Sequence, residues 1–97
     1  MSEEIFELIK SIKNLVETDI LFTNHSKIKL TDRCLEEKDI KDTILNKKVL
    51  DIVFQQDEKK KILFEFNQKH NLVIVVRFSK KNLKIITTHI ISKKRTI

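Results

Sequence analysis

A chain of 97 residues holds one domain with a single modest core and no second lobe. Hydrophobic residues at 40% against charged residues at 35% exclude a disordered chain, and the longest apolar run, LVIVV at 72–76, is far too short to span a bilayer. Lysine plus arginine outnumber aspartate plus glutamate 20 to 14, and the resulting +6 raises the chance of a phosphate-bearing partner. The plainer reading of the same excess is a lysine-rich solvated surface, since Lys59-Lys60-Lys61 and Lys80-Lys81 fall between apolar runs.

The chain opens with MSEEIFELIK, which is acidic and amphipathic. No basic segment leads into an apolar stretch there, so no secretory signal is expected. A lone cysteine, Cys34, cannot bridge to its own chain. Both features point to a reducing, cytoplasmic setting with no membrane contact. Residues 3–18 read as a helix, with Ile5, Leu8, Ile9, Ile12, Leu15 and Val16 at helical spacing and Ser2 as N-cap. Its apolar stripe either docks on its own domain or pairs with a second copy as a homodimer.

A second helix is expected from about Asn24 to Arg33, capped by Thr23, and a third over 36–46, ending near Asn46. From residue 48 the apolar period changes to two. VLDIVFQ (49–55), KILFEF (61–66), NLVIVVRF (71–78) and LKIITTHII (83–91) read as four strands. Glycine and proline are both absent, so turns must fall in the polar joints QDEKK, NQKH and SKKN. Joints that short make neighbouring strands antiparallel. The expected fold is α+β: N-terminal helices packed on a four-stranded antiparallel sheet, a two-layer sandwich. Leu50, Ile52 and Phe54 should lie under the helices with Ile62, Phe64, Phe66, Leu72, Ile74, Val76 and Phe78. Asp51, Gln55, Glu65 and Arg77 mark a semi-polar opposite face. In the last strand isoleucines occupy both sides, and Ile85, Thr87, His89, Ile91 or Ile86, Thr88, Ile90 could point inward.

The chain has no glycine to cradle a phosphate and no paired cysteine, and the three histidines at 25, 70 and 89 lie far apart, so no metal or cofactor is expected. What remains is acid–base chemistry beside positive charge. That combination suits RNA cleavage, where one group takes the 2′-hydroxyl proton, another protonates the leaving 5′-oxygen, and cations stabilise the extra charge on phosphorus. His25 opens the second helix, where free N–H groups favour an anion. Lys29 and Arg33 follow at four and eight residues, along nearly one side. His25 as a packing residue, with two solvated cations, is the alternative.

The run FTNHSKIKLTDRCLEEKDIKDTILN resembles the opening of the DUF4258 family of domains of unknown function. The shared features are an F-T-x-H opening, a basic residue at Lys29, Arg33, the acidic-aliphatic pair Asp39-Ile40, Ile44-Leu45 and Asn46. The closing KIITTHI resembles the family's last strand. The likeness covers about 21–92, with 1–20 as an added N-terminal helix and 93–97 as a basic tail on the same single domain. Cys34 stands where glycine is usual, which implies a looser helix–helix corner. Lys29 stands where arginine is common, which weakens two-point phosphate binding there.

The family in turn resembles the RelE-like and barnase-like toxin superfamily of small α+β domains. The resemblance implies a metal-independent toxin-type endoribonuclease acting on mRNA or tRNA, on or off the ribosome, with an acidic antitoxin as partner. It implies His25 and Arg33 as catalytic groups, His89 as the other proton-transfer group, and Lys29, Arg77, Thr87 and Lys94 as RNA or phosphate contacts. Plainer roles compete: a cross-strand pair with Glu65 for Arg77, and a half-buried strand position for His89. The competing function is a non-catalytic module that binds nucleic acid or protein through the same face.

Overall fold

The structure, a computed structural model, describes residues 3–79 and 82–93. Among these, three α-helices and a five-stranded sheet form the α+β layers, so one strand more is present than expected and the sheet is mixed. Ser2, Lys94 and the end of the basic tail lie outside the described residues.

Helix α1 spans Glu3–Lys13 and stops five residues before its expected end. The Val16 N–H donates to Asp19 Oδ2 at 3.0 Å, and Glu17–Asp19 forms a short 3₁₀ turn. A side chain that captures a nearby backbone donor competes with helical continuation, and the apolar spacing of Leu15 and Val16 does not reveal that competition. Strand β1, Ile20–Phe22, follows at once. It is only three residues long, too short to show an alternation. It pairs in parallel with β5, Asn82–Ser92, in the register Ile20 to Leu83 and Phe22 to Ile85.

Helix α2 spans Asn24–Asp32 and α3 spans Glu37–Asn46. Thr23 caps α2 as expected, its Oγ1 accepting from the Ser26 N–H at 3.1 Å. At the far end the Leu35 N–H donates to Leu30 O at 2.9 Å and the Cys34 N–H to Thr31 O at 3.2 Å. That is a complete left-handed C-terminal motif, with Cys34 at φ 57° in the position that favours glycine. The corner is closed by cysteine despite its Cβ, so the looser corner expected there does not occur.

Strands β2 (Val49–Phe54), β3 (Lys59–Glu65), β4 (His70–Ser79) and β5 each run antiparallel to the next, and the sheet order is β1-β5-β4-β3-β2. Lys59-Lys60-Lys61 belongs to β3 and is not the hairpin tip. The tip is Gln55–Glu58, with Asp57 and Glu58 both at positive φ in place of the absent glycines.

One face of the sheet packs under the helices. Ile12, Ile20, Leu30, Ile40 and Ile44 meet Ile52, Ile62, Phe64, Leu72, Ile74, Val76, Leu83 and Ile85 in one core. Each such side chain contributes about 1.5–3 kcal/mol relative to exposure. Ile5, Leu8 and Ile9 pack against this cluster, so the stripe of α1 serves its own domain. Lys13 secures the same contact: its Nζ donates to Ile44 O at 2.9 Å and to Lys47 O, at the carbonyl end of α3. Burial holds the Lys13 ammonium below its ordinary pKa.

Two departures occur on the sheet. Leu50 and Phe54 were expected inside but are 37% and 45% exposed. β2 is an edge strand with a register shift between Val49 and Asp51, so Val49 turns inward in place of Leu50, and Phe54 sits at the hairpin end under Lys60. In β5 neither alternation set survives intact. Val75 pairs with Thr87 but Val76 pairs with Ile85, which leaves Ile86 as the extra residue of a bulge. Before the bulge Leu83 and Ile85 are buried. After it Thr88 is buried and Ile90 packs on the core, so Thr87, His89 and Ile91 face outward.

Candidate phosphate site on the outward sheet face

Helix α2 lies alongside the edge of β5 and shares its direction. The Thr23 N–H donates to Ile85 O at 3.3 Å at one end, and Arg33 meets His89 at the other. Ten helical steps of about 1.5 Å and four strand steps of about 3.4 Å come to roughly 15 and 14 Å, so the two elements keep pace.

Ser26 and Leu30 are the buried residues of α2 and define its inward side. At about 100° per residue, Arg33 is turned roughly 40° from that side, Lys29 roughly 80° and His25 roughly 120°. Arg33 and Lys29 are accordingly half-buried and His25 is exposed. The line His25–Lys29–Arg33 therefore spirals away from the sheet toward its start. The structure brings Lys29 and Arg33 up to β5 and leaves His25 on the solvent side at the other end of the helix.

Arg33 Nη2 lies 3.4 Å from His89 Nδ1, and Arg33 Nη1 donates to Lys29 O at 3.4 Å. A guanidinium has donors only, so Nδ1 accepts and the neutral ring carries its proton on Nε2. The His89 pKa is pushed below its ordinary 6.5, first by partial burial and then by the charges of Arg33, Lys61 and Lys29. Two strands away, Lys61 joins a group drawn from one helix and the sheet. Among the described residues no carboxylate forms an ion pair with Arg33, Lys29 or Lys61. This is a cluster of three cations around a neutral imidazole, in need of an anion.

The neighbouring rows of the sheet place the other candidates. Lys61, Val75 and Thr87 lie opposite one another, next to the row Leu63, Val73 and His89. Thr87 thus shares the outward face with His89, while the Thr88 hydroxyl is buried and has no hydrogen-bond partner. Arg77 faces outward between Lys59 and Lys84, about 13 Å along β4 from the His89 row. Its pairing with Glu65 does not occur, because Glu65 lies opposite Asn71 at the other end of β3. His70 opens β4, and its N–H donates to Asn67 Oδ1 at 2.8 Å.

Lys61 was the residue missed. Its signal was the alternation with Ile62, which turns it outward at the start of the strand KILFEF, but its place in a lysine triplet suggested a merely solvated residue. Among the described residues no three His, Cys, Asp or Glu side chains converge to hold a metal ion, and no helix is long and apolar enough to cross a membrane.

The family described as "Domain of unknown function (DUF4258)" matches residues 22–90, from the end of β1 almost to the end of β5. The matched span contains Lys29, Arg33, Lys61 and His89. Comparison with curated proteins finds no match. Comparison with solved structures likewise finds none.

Proposed function

The chain belongs to the DUF4258 family, and from that premise we propose that it is a metal-independent endoribonuclease of the toxin type, acting at the outward face of its sheet. The observation that carries the reading is the contact between Arg33 and His89 inside a cluster of cations that, among the described residues, form no ion pair with a carboxylate. The toxin part rests on the resemblance of the DUF4258 family to the RelE-like and barnase-like superfamily.

In this reading Arg33, Lys29 and Lys61 bind the scissile phosphate. The arriving negative charge offsets the repulsion that, after burial, disfavours protonation of the His89 ring. It also draws the Arg33 fork from the imidazole to phosphate oxygens. His89 then takes up a proton and delivers it to the departing 5′-oxygen. The 2′-oxygen bonds to phosphorus as the bond to the 5′-oxygen breaks, and the 2′-hydroxyl proton passes to water at the open face. The products are a 2′,3′-cyclic phosphate and a 5′-hydroxyl. Thr87 and Arg77 contact flanking phosphates, and His25, at the far end of α2, takes no part. An acidic antitoxin would fit this face and close it.

The second reading is a binding module without catalysis. It is favoured by a cluster that holds a single imidazole, since one proton-transfer group serves binding as well as cleavage. Incubation with RNA in EDTA, free and on programmed ribosomes, separates the two. The nuclease reading expects cyclic-phosphate ends. Salt-dependent binding with no cut in either format would establish the module instead.

A further inference from the structure

Beside the cation cluster the outward face holds a depression of about 220 Å³, lined by Asp51, Val53, Lys61, Leu63, Val73 and Ile91. Its floor is aliphatic. Leu63 and Val73 face each other across β3 and β4, and Val73 faces His89 across β4 and β5. Asp51 lies opposite Leu63, so one row runs Asp51, Leu63, Val73, His89 across four strands. With strands about 4.8 Å apart, the middle of the depression lies roughly 10 Å from the imidazole. That is about the reach of one nucleotide from its phosphate to its base. Lys61 belongs to both places, lining the depression and acting on His89.

We propose that this depression seats one unstacked RNA base, of a kind that carries an exocyclic amino group, from the nucleotide whose phosphate lies at Arg33, Lys29 and Lys61. The proposal rests on the RNA reading of that cluster. The aliphatic side chains of Val53, Leu63, Val73 and Ile91 can cover the face of a base, as apolar side chains do around an unstacked base. The rim supplies the choice among bases. Asp51 Oδ1 already accepts the Ile52 N–H at 2.9 Å, which fixes the carboxylate and leaves Oδ2 open. A carboxylate only accepts hydrogen bonds, so it suits the amino groups of cytosine, adenine and guanine and not the O4 of uracil. The charges are complementary end to end: cations at the phosphate, an acceptor at the amino edge.

The test is a titration followed by NMR, with inorganic phosphate, UMP, CMP, AMP and GMP as separate probes of the full chain. Phosphate should shift the signals of Arg33, Lys29, Lys61 and His89 and leave the aliphatic methyls of the depression unmoved. The nucleotides should also shift the methyl signals of Val53, Leu63, Val73 and Ile91. CMP, AMP and GMP should bind about tenfold tighter than UMP, and Asp51→Asn, which keeps an acceptor for Ile52, should abolish that preference. Nucleotides that move His89 but none of these methyls would overturn the base seat and leave the phosphate site standing. Equal affinity for UMP and CMP in the wild type would overturn the role of Asp51 and with it the preference. Silence of both His89 and the methyls to every probe would overturn the RNA reading itself, and the seat with it.

Discussion

At the scale of single residues, the behaviour of His89 follows from its surroundings. Burial and three nearby cations all act against its protonation. A proton titration by NMR should place its pKa below 6.5. Arg33→Ala should raise that value. Added salt should raise it in part, because salt screens the cations but leaves the burial. The linkage has a definite sign. The unfolded chain holds more protons on His89 than the folded chain below about pH 6.5, so this residue's contribution is intact above that pH. It is lost as pH falls through the folded pKa, and denaturant midpoints should decline over that window. Cys34 makes a second residue-level case. It holds a left-handed conformation at the end of α2 with a Cβ in the way. Cys34→Gly should raise stability by about 0.5–1 kcal/mol, relief of the steric cost being partly offset by a freer unfolded chain. Thermal unfolding measures this directly. The need for a small residue at position 34 was legible in the sequence as a departure from the family pattern. Its conformation was not, because cysteine carries no turn signal of its own.

At the scale of elements, what the periodicity shows and what it hides can be separated strand by strand. In β3 and β4 the core residues Ile62, Phe64, Leu72, Ile74 and Val76 are those the period of two selects, although Asn71 and Val73, of the other parity in β4, are buried as well. β5 was ambiguous because its pattern contains a shift of phase. The bulge at Ile86 turns the strand over in mid-course, so residues before and after it follow opposite parities. Because the bulge absorbs that extra residue, His89 faces the cations and not the core. Deleting Ile86 should remove the bulge without turning the strand over, because Thr87 then follows Ile85 in regular alternation against Val75 and Val76 and His89 stays outward. The expected outcome is a folded chain in which His89, followed by NMR, still titrates below 6.5. An Ile86→Ala variant, which keeps the bulge, should fold and titrate as the wild type does. β1 and the end of α1 lay beyond sequence reasoning for a different reason. A three-residue strand has no period, and Asp19 stops the helix through a side chain's hold on Val16.

At the scale of the whole molecule, the sheet separates two tasks. Its inner face and the three helices build the core, and the N-terminal helix is part of that construction through Ile12 and Lys13. Its outer face is left free to carry charge. α2 is the element that joins the two, because Leu30 anchors it in the core while Lys29 and Arg33 reach over the edge of β5. The pairing of Arg33 with His89 spans 56 positions of sequence, and no local pattern could have shown it. The individual candidates were visible as residues; their grouping depends on the parallel course of α2 along β5. The same geometry separates His25, at the start of the helix, from the cluster at its end.

The central claim is that proton transfer on RNA takes place at His89 among Arg33, Lys29 and Lys61. The most direct test compares the cleavage rate of the wild type with those of His89→Ala and His25→Ala, in EDTA, on the same RNA. The account predicts a loss of about 10²–10⁴-fold for His89→Ala, the usual contribution of a positioned proton donor, and a much smaller loss for His25→Ala. Full activity in His89→Ala, with activity abolished in a folded His25→Ala, would contradict it and move the chemistry to the opening turn of α2.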